Sequence, residues 1–175
     1  MNKKQEPNRK SVVLAGATGY IGRYVLRELN ARGYHVTTLG RSRTQDENVC
    51  YQHFSVDVCD ENALATFEDC FPKNASVISC LGSKTGGRRD AWTVEYGANQ
   101  SLLNLSKSNQ AKQFVLLSAI CVQKPRLEFQ FAKLAFEDSL IASGMPYSIV
   151  RPTAYFKSLA GQINKVKNGK AFLLF

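Results

Sequence analysis

Seven residues near the start of the chain, Gly16-Ala17-Thr18-Gly19-Tyr20-Ile21-Gly22, have the types and spacing of a phosphate-binding turn. They follow an apolar run, Ser11 to Ala15, and open an amphipathic stretch, so the glycines fall where a strand must turn sharply into a helix. Gly16 permits the tight turn, Gly19 lets the backbone approach a pyrophosphate, and Gly22 lets helix and sheet pack closely. The backbone N–H groups of Thr18, Gly19, Tyr20, Ile21 and Gly22 then face the phosphates from the positive end of the helix. A purely structural turn is the other reading, but the strand before it and the helix after it favour dinucleotide recognition.

A second chemistry-bearing run, Leu39-Gly40-Arg41-Ser42-Arg43, follows where an NAD-binding turn of this kind would place a carboxylate for the ribose hydroxyls. No carboxylate is present. Two guanidiniums and a hydroxyl instead suit a 2′-phosphate, which arginine grips bidentately, so NADPH is the expected cofactor over NADH. Two solvated arginines in a surface loop would look the same. Asp57, just past the third apolar run, is placed to accept a hydrogen bond from an adenine amino group, or serves as a turn former.

The elements that must position these residues are legible as alternation. Apolar, β-rich runs occur at residues 11–15, 35–39, 52–56, 76–81, 114–118 and 147–151, with helical patterns between most of them. Helices are expected at about 21–32, stopping at Gly33, at about 61–71, opened by Asp60 and closed by Pro72, and at about 91–109. Near-continuous apolar strands such as Phe114-Val115-Leu116-Leu117 imply burial on both faces. The expected fold is therefore α/β, a Rossmann-type doubly wound parallel sheet with helices on both faces. Ligands in such sheets lie just beyond the strand tips, which singles out Leu81 and Gly82 and the polar glycine loop running to Asp90.

Composition sets the remaining bounds. At 175 residues and 44% hydrophobic content, the chain supports one core. The five cysteines, Cys50, Cys59, Cys70, Cys80 and Cys121, contain no CxxC and read as reduced packing residues. No metal site is expected, since neither His35 nor His53 has a partner at useful spacing. No apolar run is long enough to span a bilayer, and Met1 to Lys10 is basic and polar, so a cytoplasmic, bacterial product is expected. The net charge is +9, and residues 151–175 carry Arg151, Lys157, Lys165, Lys167 and Lys170 without a carboxylate. A phosphorylated cofactor, a carboxylated substrate or an anionic membrane surface would answer that charge; nucleic acid is not expected, because no recognition motif accompanies it.

The glycine turn, with a lysine after the fifth strand, resembles the extended and atypical short-chain dehydrogenase/reductase superfamily. A more particular resemblance lies in Phe114 to Pro125, in Leu127-Glu128-Phe129-Gln130 with Lys133, and in Tyr147 to Ala154 running into Phe156-Lys157-Ser158-Leu159. These runs are similar to the divinyl chlorophyllide a 8-vinyl-reductase family. That resemblance implies NADPH-dependent reduction of the 8-vinyl group of divinyl (proto)chlorophyllide to ethyl, a tetrapyrrole substrate, and peripheral contact with a photosynthetic membrane. A non-catalytic NADPH-binding redox-sensing regulator of the same superfamily, or another small-molecule NADPH reductase, is the alternative.

The resemblance also assigns residues. Carbonyl-reducing members pair a tyrosine with a lysine four residues on; here the pair is Phe129 and Lys133, which keeps the cofactor-orienting ammonium and lacks the proton-donating phenol. A solvated helix lysine is the plainer reading of Lys133. Ser118 falls where members place a hydroxyl beside the nicotinamide, or is a strand-end turn former, and Arg151 and Pro152 fall where backbone meets the carboxamide. Tyr155 is a phenol with a packing role or a donor role. The chain closes on Ala171-Phe172-Leu173-Leu174-Phe175, whereas the resembled reductases continue to complete the substrate pocket. The expected organisation is a flexible basic segment at 1–10, an NADP-binding Rossmann domain at 11–158, and the start of an incomplete substrate-binding region at 159–175, able to bind NADPH whether or not it turns over.

Overall fold

A computed structural model describes residues 10–44 and 49–170. The apolar runs form β1 (Ser11–Ala15), β2 (His35–Gly40), β3 (Gln52–Ser55), β4 (Ser76–Ser79), β5 (Gln113–Leu117) and β6 (Tyr147–Val150). All pair in parallel, in the order β3-β2-β1-β4-β5-β6. The order reverses between β1 and β4, and that reversal opens a crevice at their carboxyl ends. Ala15 is aligned with Ser79, and the Cys80 N–H donates to the Ala15 carbonyl at 2.9 Å, so the glycine turn and the β4 exit leave the sheet side by side.

β1 shows why the sheet is a central layer. Successive side chains alternate faces, and Val12 to Ala15 are all buried, so both faces are covered. Val13 and Ala15 enter the larger core with Phe67, Leu102, Phe114, Phe136 and Leu140, under α2 (Glu61–Ala65), α4 (Asn99–Ser108) and α5 (Glu128–Ala142). Leu14 points the other way, toward Val36 and Leu26 of α1 (Tyr20–Ala31). At the β6 edge this cover fails: Tyr147 and Val150 are exposed, because no strand lies beyond them among the described residues.

Several elements differ from the sequence expectation. Asp60 does cap α2, its carboxylate accepting from the N–H groups of Asn62 and Ala63 at 3.0 and 3.1 Å, but the helix ends at Ala65 and a short 3-10 turn covers Glu68–Cys70. The Thr66 hydroxyl and N–H both bond the Ala63 carbonyl, which tightens the last turn and ends the α-helical register. The expected helix at 91–109 begins three residues earlier and is composite: α3 (Arg88–Ala91), a π-helical stretch at Trp92–Ala98, then α4. A final helix, α6 (Phe156–Lys167), crosses the expected boundary at 158/159.

Most of the cysteines also depart from expectation. Cys50, Cys59 and Cys70 are exposed and do not pack the core, Cys121 is half-buried, and Cys80, also half-buried, does pack against the Leu14, Leu26 and Val36 cluster as expected. Cys50 and Cys59 lie beside strand ends, and Cys70 closes a surface 3-10 turn, where local apolar neighbours in sequence do not translate into burial.

Candidate cofactor-binding site

The turn after β1 is built around two close approaches that exclude side chains. Gly16 has φ +81°, and a Cβ there would sit 2.5 Å from the Cys80 carbonyl oxygen. A Cβ on Gly22 would lie 2.0 Å from the Gly16 carbonyl oxygen. The closest contact of Gly22 is therefore the turn itself, which folds tightly over the start of α1. No side chain caps the N-terminus of α1, leaving its first N–H groups to a ligand.

These residues border a groove of about 450 Å³ across the strand tips. Gly16, Thr18, Gly19, Arg41, Ser42, Asp57, Leu81 and Gly82 all line it, as the sequence anticipates. Lys84 and Asp90, from the polar glycine loop after β4, line it too, as does the Thr38–His53 pair, which carried no sequence signal. His53 Nδ1 lies 2.9 Å from the Thr38 hydroxyl, and partial burial, with the Arg43 charge second, lowers the His53 pKa, so the ring is held neutral. Arg41 stands 3.9 Å from Asp57 with both side chains well exposed, a weak pair that leaves the guanidinium able to meet a phosphate. Asp57 also accepts from the Cys59 N–H at 3.0 Å, the turn-forming role that was its alternative.

Other expected contacts fall outside that lining. Arg43 stacks over the Tyr51 ring at 4.9 Å. Tyr20 packs against Tyr24 and Tyr155, with Arg23 and Lys157 over its ring at 5.2 Å. Arg151 is engaged by the buried carboxylate of Glu137 on α5, through both Nε and a terminal nitrogen. That hydrogen bond and charge raise the Arg151 pKa and tie its guanidinium to the protein rather than to a ligand. Pro152 accepts, through its carbonyl, from the Ile120 N–H at 3.0 Å.

Lys133 is buried, not solvated. Its ammonium forms an ion pair with Glu95 at 2.7 Å and reaches the Leu117 carbonyl at 3.3 Å, at the tip of β5. Glu95 uses its other oxygen to accept from the Ser83 N–H and hydroxyl at 2.8 and 2.9 Å. One carboxylate thus joins the lysine to the loop after β4. Sequence reading missed Glu95, yet a signal was there: Ala91, Glu95, Ala98 and Leu102 form one buried stripe, and a carboxylate on such a stripe demands a partner. Next to Leu117, the Ser118 hydroxyl is buried with no hydrogen-bond partner among the described residues. An orphaned buried hydroxyl at a strand tip is free to bond a ligand.

Tyr155 and Cys80 lie within electrostatic reach of this cluster. Burial first, then electrostatic coupling to Cys80 and to Glu95, raises the Tyr155 pKa, so the phenol keeps its proton near neutrality. Burial likewise pushes Cys80 up to about 11, with Lys133 pulling the other way. No group of residues suited to a metal ion occurs among the described residues. The glycine cradle, the open helix terminus, the exposed Arg41 and the unpartnered Ser118 fit a nicotinamide dinucleotide laid across the sheet tips.

Comparison with known proteins agrees with this geometry. Plant proteins named divinyl chlorophyllide a 8-vinyl-reductase, chloroplastic, match almost the whole chain: 42% identity over 98% of it for Cucumis sativus and 46% over 97% for Oryza sativa subsp. indica. The chain spans about half the length of these relatives, 45% and 46% respectively. Among solved structures, the Bordetella bronchiseptica enzyme WbmG in complex with NAD shares the fold, with a TM-score of 0.74, 13% identity, and cover of 97% of this chain and 63% of that one. These matches overturn the expectation of a bacterial, cytoplasmic product, since the relatives are chloroplastic plant proteins. That expectation rested on the polarity of the first ten residues, which carries no information about compartment. A family model described as NAD(P)H-binding matches residues 16–173, from the first glycine of the turn through α6, and the chain belongs to that family.

Proposed function

We propose that this chain is the NADPH-binding part of a reductase that converts the 8-vinyl group of divinyl chlorophyllide or protochlorophyllide to ethyl. The observation that carries the proposal is identity of 41–46%, extended over 94–99% of the chain, to plant reductases of that name. The site is in keeping with it. Phe129 stands one helical turn before Lys133, so the phenol that carbonyl reduction would use is replaced by a ring with no proton to give. A vinyl group conjugated to a tetrapyrrole needs no such partner at the moment of hydride arrival, because the macrocycle spreads the incoming charge.

Bound NADPH would supply the hydride. The protein's part is positioning and exclusion of water. Arg41 and Ser42 would hold the 2′-phosphate and the N–H groups at the start of α1 the pyrophosphate. Lys133, fixed between Glu95 and the Leu117 carbonyl, would orient the nicotinamide ribose, and the free Ser118 hydroxyl would bond the nicotinamide side of the cofactor. A chloroplast setting follows from the relatives' names. Peripheral contact with a photosynthetic membrane is in keeping with α6, where Phe156, Ile163 and Val166 are exposed beside Lys157, Lys165 and Lys167.

The direct test is single turnover. Protein in excess, saturated with NADPH, is mixed with divinyl chlorophyllide a, and the expected result is a small blue shift of the pigment's Soret band as one vinyl leaves conjugation. NADPH bound, pigment bound and no shift would instead favour a non-catalytic NADPH-binding regulator.

A further inference from the structure

With Arg151 committed to Glu137, the strand tip beside β6 does not offer the cation that a carboxylated substrate would need. A separate cavity does. It has a volume of about 560 Å³ and lies between the 3-10 turn at Ile120–Gln123, just after Ser118, and the first turn of α5. Ile120 and Leu127 line it with apolar side chains that are 48% and 47% exposed. Lys124 and Arg126 bring two cations to the same wall, no lining residue is acidic, and neither cation has an ion-pair partner among the described residues. Arg126 is not on a loose loop: the buried Gln130 side chain accepts from the Arg126 and Leu127 N–H groups at 2.6 and 3.0 Å, pinning that segment to α5. Gln130 also lines the cavity, and Lys133 follows it three residues later on the same helix.

From this arrangement we infer that the cavity is a carboxylate-receiving subsite, in which Lys124 and Arg126 bind the carboxylate of a flat apolar ligand resting on Ile120 and Leu127. Its size is that of a small-molecule site, and apolar walls beside two unpaired cations suit one anionic group on a largely apolar body better than a polyanion. The identity of that ligand as the substrate's propionate rests on the function proposed above; the subsite itself rests on the cavity.

The test has two arms. In the first, divinyl chlorophyllide a and its methyl ester are titrated into the protein saturated with NADP+, which has no hydride to transfer. The free acid is expected to bind about tenfold more tightly, a preference that falls with salt and disappears in the Lys124→Ala, Arg126→Ala double variant while NADPH affinity is unchanged. In the second, the half-buried Cys121 thiol in the cavity wall reports without pigment. Iodoacetate should gain on neutral iodoacetamide at Cys121 relative to the exposed Cys50, read peptide by peptide by mass spectrometry, and the gain should vanish in the double variant. Equal binding of acid and ester to the unaltered protein overturns the subsite and leaves the reductase reading standing. If neither pigment binds but Cys121 still favours the anionic reagent, the reductase reading falls and the anion subsite survives. If that preference is missing too, both fall.

Discussion

Lys133 and Glu95 form an ion pair whose side chains are 10% and 3% exposed, so each depends on the other to offset the loss of water. Lys133→Met leaves the Glu95 carboxylate buried opposite a thioether and is expected to cost about 3 kcal/mol in urea unfolding. Adding Glu95→Gln should return most of that loss without restoring NADPH affinity; a single variant as stable as the parent would deny that the pair is buried. Cys80 gives a pH signature. Its thiol is raised from 9.0 to about 11, so between those values the native chain keeps a proton that the unfolded chain has lost, and stability falls as pH rises through that window. At pH 8, iodoacetamide should modify Cys50 and Cys70 quickly and Cys80 barely, by mass spectrometry. At this scale the sequence singled out residues by type alone, such as the glycines and Arg41, which line the groove, and Lys133, which is buried against Glu95. It hid those whose role depends on a partner far along the chain: Glu95 across from Lys133, and Glu137, which takes Arg151 from the ligand side.

The glycine turn and the start of α1 act as one element, because the Gly16 carbonyl occupies the space a side chain on Gly22 would need. Gly22→Ala must push backbone against backbone, so we expect a loss of about 2–3 kcal/mol, seen as a lower Tm, together with loss of NADPH binding. Unchanged Tm and affinity would mean that the turn is looser than described. Strand runs and α1 were legible because hydrophobic period and punctuation agree there. The π-helical stretch at Trp92–Ala98 was not, since its apolar pattern reads as ordinary helix and nothing in residue type marks the wider register. That stretch carries Glu95 toward the lysine, so the element the sequence described least well is the one that completes the site. The 3-10 turn at Ile120–Gln123 and α6 were missed for a related reason: both follow strand tips, where tertiary contacts such as the Ile120 N–H to the Pro152 carbonyl replace periodicity.

For the whole molecule, β/α alternation was enough to forecast six parallel strands under two helical layers, because only a few topologies satisfy such a chain. Compartment was forecast as cytoplasmic and bacterial, against the chloroplastic plant relatives, because compartment is not a property of packing. The fold places the exposed Arg41 in the groove lining, and the unpartnered Ser118 and the ammonium of Lys133, reaching over from α5, at the tip of β5, and the account rests on one phosphorylated dinucleotide joining them. Calorimetric titration with NADPH and with NADH, repeated on Arg41→Glu, tests this most directly. One NADPH per chain is expected, bound at least about tenfold more tightly than NADH, with that preference abolished by Arg41→Glu while NADH binding changes little. No heat of binding from folded protein, or equal loss of both nucleotides in the variant, would contradict it.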